Sequence, residues 1–229
     1  MGGVRLLASC SLALSAQRSD KAELRARMRG VLGALAPLPL ASASARACQR
    51  ALELPALERA ESVSIFLSMP SAECQTDTLV EELFRRGKAV YVPRVDGKHA
   101  EQMSMVRMES IEQLRALETN RWGIPEPHKP PPGAPPATAE ERGELVDVVI
   151  VPALAFDRRC YRLGHGRGYY DAFLARVLLQ RAQARLERPA IIGLGLQEQL
   201  LDSVPVLDHD IQLDCVCLPE CVLHPPEAS

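Results

Sequence analysis

Ten consecutive residues of this 229-residue chain concentrate groups suited to handling an anion: Arg162-Leu163-Gly164-His165-Gly166-Arg167-Gly168-Tyr169-Tyr170-Asp171. Three glycines at alternate positions clear side chains from a path where a ligand would approach the backbone. Amide N–H groups at a helix N-terminus point outward, and the helix dipole favours negative charge there. Arg162 and Arg167 add fixed positive charge. Asp171, in the first turn of the helix that follows, could hold a hard cation beside bound phosphates. The spacing is not that of the P-loop, which needs four residues between its glycines and then Gly-Lys-Ser/Thr. It is not G-x-G-x-x-G either, because the third glycine falls one residue early. On physical grounds the stretch reads as a nucleotide-phosphate site. A turn that only packs a helix tightly on a sheet is the alternative, and two arginines and an acid within ten residues favour the site.

A cradle of this kind needs a strand before it and a helix after it. Val146–Val151, VDVVIV, is a nearly continuous β-branched run, expected for a strand covered on both faces. A long helix is predicted over 168–187. Upstream, Leu24, Met28, Val31, Leu32 and Leu35 recur at helical spacing, and Asp20 with Glu23 resembles a capping box. A second helix is predicted over 42–54 and a buried strand over 63–67. Thr76 can cap a helix holding Leu79, Val80, Leu83 and Phe84, and Gly87 can stop it. Strands are predicted over 89–92, ended by Pro93, and over 103–108. Ser110 and Gln113 form a second box before a short helix, and the last strands lie over 190–194 and 214–218. Strands alternate with helices, which predicts a three-layer α/β/α domain with a mostly parallel sheet.

Composition bounds the function classes. Apolar residues make up 47% and charged residues 24%, an ordinary globular balance. Net charge is −2, so no global field draws the chain to nucleic acid or an anionic membrane, and any polyanion must be met locally. Seven cysteines, an odd and scattered set at 10, 48, 74, 160, 215, 217 and 221, fit reduced thiols better than a disulfide framework. Cys215, Cys217, Cys221 and His224 match no usual zinc spacing, and Cys215 with Cys217 fits the alternation of an apolar strand. Seven of eighteen prolines fall between 125 and 136, which predicts a surface loop there. Residues 1–18 carry two arginines and no acid, as a mitochondrial transit peptide would. The expected organisation is a leader or tail at 1–18, one catalytic domain at 19–220 and a tail at 221–229. A monomer is expected, in the cytoplasm, or in the mitochondrion if residues 1–18 direct import.

The stretch from Phe156-Asp157 through Arg162-Leu163-Gly164, Gly166, Gly168, Tyr169, Tyr170 and Asp171 resembles the signature of the 5-formyltetrahydrofolate cyclo-ligase family. Other segments agree in order: Ser64 to Met69 with Glu73 and Thr76, Arg86-Gly87-Lys88 with Pro93-Arg94, Met103 to Glu109, Trp122 to Pro127, and Pro205-Val206 with Asp210 and Asp214. The resemblance spans roughly residues 17–218. It implies a ligase that converts 5-formyltetrahydrofolate and ATP, with magnesium, to 5,10-methenyltetrahydrofolate, ADP and phosphate. By the resemblance Arg162, Arg167 and Tyr170 act in catalysis. ATP is met by Gln17, Arg18, Lys21, Arg162, Gly164, His165, Gly166, Arg167, Gly168, Tyr169 and Tyr170. The folate, possibly polyglutamylated, is met by Leu67, Glu73, Met105, Trp122 and Tyr169, and magnesium by Asp171 and Asp210. A non-catalytic folate- or nucleotide-binding protein of the same fold is the alternative. An unrelated α/β nucleotide enzyme, such as a small kinase or sugar-phosphate isomerase, is a third reading. Two departures from the family pattern matter. Gln17, Asp20 and Lys21 stand where a Lys-x-x-Leu-Arg motif has lysine, leucine and arginine, so Lys21 keeps the charge without the bidentate fork. Cys160 stands where the family has glycine, which would strain a turn that needs positive φ.

Overall fold

A computed structural model describes residues 19–129, 138, 139 and 145–226. Gln17, Arg18 and the leader at 1–18, with most of the proline-rich segment, lie outside the described residues. Helices α1 (Ser19–Gly33), α2 (Pro37–Leu52) and α3 (Pro55–Arg59) precede strand β1 (Ser62–Ile65). Then come α4 (Asp77–Arg85), β2 (Ala89–Val95), β3 (Met103–Met108), α5 (Ile111–Arg115) and β4 (Val148–Val151). The chain continues through β5 (Ala155–Asp157), β6 (Arg162–Leu163), α6 (Tyr169–Gln183), β7 (Ala190–Leu194), β8 (Leu200–Leu201), β9 (Cys215–Cys217) and β10 (Val222–Leu223). Among the described residues no single helix is long and apolar enough to cross a membrane.

Seven strands form one sheet in the order β10-β9-β7-β4-β1-β2-β3. β9, β7, β4, β1 and β2 run parallel, with β3 and β10 antiparallel at the two edges. The apolar runs split by parity, as period two requires. Val148, Ile150, Ile192, Cys215 and Cys217 face a core shared with α1, α2 and α4. Val149, Val151, Ile191 and Val216 face a second core with Phe173, Leu174 and Val177 of α6. Two apolar layers, one per face, make the three-layer architecture.

Several element ends differ from the sequence-based expectation. The second helix begins at Pro37, not 42, because proline at the first helical position lacks only an N–H that would be orphaned anyway. β2 runs through Pro93 to Val95 instead of stopping. Its last β1 partner is Tyr91, so Pro93 lies where only β3 is a neighbour and the missing donor disrupts no ladder on that side. α6 ends at Gln183, not 187. Arg185 enters the left-handed region at φ 57, and Arg185 N–H and Leu186 N–H close back on Ala182 O and Arg181 O, a Schellman stop without glycine. Thr76 occupies the N-cap of α4 as expected, but its hydroxyl makes no cap bond and is buried without a partner. Residues 222–223, expected in a tail, form an edge strand on β9.

A second, three-stranded sheet, β6-β5-β8, lies outside the strands expected from the sequence. Its turn is organised by Asp157, fully buried, whose carboxylate accepts N–H groups of Arg159, Tyr161 and Val204. Gly193 lets it pack close, since a Cβ there would lie 2.7 Å from the Phe156 ring. Cys160 has φ 61, the positive backbone angle that glycine would hold without strain. Burial, with Cys215 and Asp157 near, pushes its thiol up to about 12, so it is an unreactive protonated group. Cys48, Cys74, Cys215 and Cys217 are likewise free and buried. Among the described residues no group of three or more His, Cys, Asp or Glu side chains is placed to hold a metal ion.

Candidate functional site

The parallel strands deliver their C-terminal ends to one cleft of about 1190 Å3. Phe66 and Leu67 follow β1, Val95 and Asp96 close β2, and Pro152 follows β4, and all line it. β4 and β1 lie side by side at the centre of the sheet, and chain order runs outward from them in opposite directions. Such a switch point opens a crevice beyond the strand ends.

One wall is the loop between β6 and α6. Gly166 at φ 103 and Gly168 at φ 73, the N-cap of α6, hold conformations that side-chain-bearing residues rarely take. Among the described residues the amides of Gly164 to Gly168 donate to no protein group. Arg162 is 6% exposed and ion-paired with Asp171 across the first turn of α6. Its Nε is buried with no partner. α1 lays two more cations against this wall. Lys21 pairs with Asp210, whose carboxylate also accepts Leu207 N–H at 2.6 Å. Arg25, one turn further on, donates Nε to Gly164 O at 2.9 Å. Burial and neighbouring Arg29 lower the Arg25 pKa, against the opposing pull of Asp210 and Asp171. Arg25 carries no motif and is absent from the expected set; its only sequence signal is a position four after Lys21, on the same helix face. Arg167 and His165 are exposed at the loop tip.

The opposite wall suits a flat apolar ligand with polar edges. Leu67 is buried beneath it. Glu73, 5% exposed, has one carboxylate oxygen fixed by Met69 N–H at 2.9 Å, and the other lies 3.9 Å from His165 Nε2. Trp122 is 56% exposed on a turn, with the Arg121 guanidinium 4.0 Å above its ring. Asn120 fixes that turn by accepting Trp122 N–H and Ile124 N–H, and its amide donates to Glu126. Glu126 also accepts Val95 N–H, tying the turn to the end of β2. Tyr170 joins the walls: its hydroxyl is buried and unpartnered, near both Glu73 and Arg162. Burial first, and the Glu73 charge second, hold its pKa well above the ordinary phenol value, so it stays a neutral donor.

Among the described residues, the expected ones gather in this cleft except Met105. Met105 is fully buried in the core between the sheet and α6, and Met103, two residues earlier on the same strand face, reaches the cleft instead. Tyr169 lines the cleft, but its hydroxyl donates to Gly97 O at 2.8 Å and so braces the loop after β2. Gln17 and Arg18 lie outside the described residues.

Residues 17–219 match the 5-formyltetrahydrofolate cyclo-ligase family. A probable 5-formyltetrahydrofolate cyclo-ligase of Schizosaccharomyces pombe is 32% identical over 209 residues, covering 89% of this chain and 97% of that one. The 5-formyltetrahydrofolate cyclo-ligase of Mus musculus is 32% identical over 200 residues, covering 87% and 92%. The solution structure of Aquifex aeolicus 5,10-methenyltetrahydrofolate synthetase superposes with a TM-score of 0.68 at 24% identity, over 91% of this chain and 94% of that one, and shares the fold. The chain belongs to the 5-formyltetrahydrofolate cyclo-ligase family.

Proposed function

We propose that this protein closes the ring of 5-formyltetrahydrofolate to 5,10-methenyltetrahydrofolate at the expense of ATP. One observation carries the reading. One cleft joins a loop whose amides have no partner among the described residues, and the buried Arg162 guanidinium, to a wall of Leu67, Trp122 and Glu73. The pterin would lie on the apolar wall, with Glu73 accepting its amino and ring N–H groups. The nucleotide phosphates would sit on the Gly164–Gly168 amides, with Arg162, Arg167, Lys21 and Arg25 neutralising charge.

In this arrangement the formyl oxygen attacks the γ-phosphorus and ADP leaves. The resulting N5-iminium phosphate is attacked at its carbon by the folate nitrogen at position ten, which loses its proton as the C–O bond to phosphate breaks and phosphate departs. Phosphoryl transfer needs positioning and charge neutralisation more than a protein nucleophile, and no nucleophilic thiol or hydroxyl is required of this chain. Tyr170, neutral and unpartnered, is suited to donate to the oxygen that carries charge during transfer. Asp171 and Asp210 each spend part of their carboxylate on a cation. Their remaining oxygens fit a magnesium ion that arrives with the phosphates, since magnesium commonly takes one or two carboxylates and completes its shell with phosphate and water. Magnesium would supply neutralisation of the phosphate charge.

The test is direct. Purified protein is mixed with 5-formyltetrahydrofolate, ATP and magnesium, and the near-ultraviolet absorbance of the methenyl product is followed. An ATP-dependent rise is expected. No rise, with both ligands raising the melting temperature, would mean a binding protein. No response to either ligand overturns the folate reading. Fusing residues 1–18 to a fluorescent reporter distinguishes cytoplasmic from mitochondrial destination.

A further inference from the structure

We propose that Gln75 is a positioning residue that presents Glu73 to the folate, and that it is itself held from α2, outside the cleft. The inference rests on the folate reading of Glu73 given above. Gln75 does not line the cleft. Its side-chain amide donates both N–H groups into the loop that carries Glu73, to Met69 O at 2.9 Å and to Glu73 O at 2.8 Å. Met69 N–H in turn fixes one Glu73 carboxylate oxygen at 2.9 Å. The loop is thus closed on itself, with the amide bridging carbonyls four residues apart.

Two further bonds anchor this ring to the helix layer. Gln75 N–H donates to Ser44 Oγ at 2.9 Å, and Gln75 O accepts the Cys48 thiol at 3.3 Å. Ser44 and Cys48 are both 2% exposed on α2, and Ser44 Oγ donates to Leu40 O at 2.7 Å, so its direction is set. Meanwhile Ala72, immediately before Glu73, sits at φ 62. A residue with a Cβ holds that angle only when its surroundings impose it. The Gln75 bridge spans that residue and is the device that imposes it. A carboxylate at position 75 could not do the same work, because it has no N–H to give to two carbonyls.

The test uses the full chain and two readouts. Trp122 is the single tryptophan, so its emission reports 5-formyltetrahydrofolate binding at the mouth of the cleft without turnover. Gln75→Leu is expected to weaken folate binding about tenfold, in Kd and in KM, while KM for ATP and kcat stay within about twofold. Gln75→Glu keeps the shape and removes both donors; it should do the same, and it covers the case in which leucine lowers the yield of folded protein. In a Glu73→Gln background, Gln75→Leu should add less than about twofold, because its effect passes through Glu73. A wild-type protein that binds folate, with variants of unchanged Kd, overturns the inference alone. So does a Gln75→Leu effect that is undiminished in the Glu73→Gln background, or an equal rise in KM for ATP. If the wild type neither binds nor converts the folate, the folate reading falls and takes this inference with it.

Discussion

Asp171→Ala separates a residue that merely waits for a metal from one that also holds a buried cation in place. The side chain of Arg162 is 5% exposed and that of Asp171 25%, and the two are ion-paired. Removing the carboxylate leaves a guanidinium out of water with its Nε already unpartnered. Breaking a fully buried pair from one side costs about 3–5 kcal/mol. Asp171 is a quarter open to solvent, which screens part of that, so a loss of about 2–3 kcal/mol is expected. For a chain of this size each kcal/mol moves the melting temperature by about 2–4 °C, giving a drop of roughly 5–10 °C. Thermal melts of Asp171→Ala, Arg162→Met and the double variant form a cycle. The double variant should be more stable than Asp171→Ala, since it no longer buries an unpaired charge. Pyrophosphate should raise the melting temperature of Asp171→Ala more than that of the wild type, because the anion replaces the missing counter-charge. Turnover should be lost in all three. Melting of Asp171→Ala within about 1 °C of wild type, or strict additivity in the cycle, would refute the argument that this pair is a coupled unit.

Other outcomes follow from single features. Gly166→Ala forces a Cβ onto a residue at φ 103 and sets it 3.3 Å from Arg25 Nε; at about 1–2 kcal/mol, KM for ATP should rise about five- to thirtyfold while folate binding by Trp122 emission is unchanged. Glu126→Ala frees both Val95 N–H and the Asn120 amide, loosening the Trp122 turn; KM for the folate should rise several-fold and the emission maximum of the free protein should shift. Asp147 is held below the ordinary carboxylate value: burial opposes ionisation, and hydrogen bonds from Ser62, Glu61 and Arg181 outweigh it. Its depressed folded pKa contributes stability above the unfolded value of 3.8, lost as pH falls through the folded one. Asp147→Asn should therefore cost about 1 kcal/mol at neutral pH, after allowance for its partial exposure, and the difference from wild type should vanish in urea melts run below that range.

The chain's periodicities carried most of the fold. Val148–Val151 of the VDVVIV run became a central strand because two apolar faces at period two can only be satisfied by helices on both sides. Gly87 stops α4 as expected, with Lys88 N–H closing on Leu83 O. Pro37, Pro93 and Arg185 set element ends differently from the expectation. Each is decided by what lies alongside: a free first turn, a missing β1 neighbour and a closed Schellman pair. The small sheet β6-β5-β8 leaves no mark in the sequence because strands of two or three residues carry no period to read.

Residue types and local spacing sufficed to single out Gly164–Asp171 as a candidate anion site, since glycine, arginine and a helix start act through local backbone geometry and fixed charge. The family resemblance singled out Cys160, which stands at a glycine position and holds a positive φ set by its own turn. Tertiary structure alone decided which groups share a charge and which wall a side chain faces. It paired Arg162 with Asp171, joined Lys21 to Asp210 across 189 positions, brought Arg25 to Gly164, and put Met105 in the core. The physical reason is range: backbone preference is set by a residue's neighbours in sequence, whereas burial and pairing are set by neighbours in space that only packing assembles.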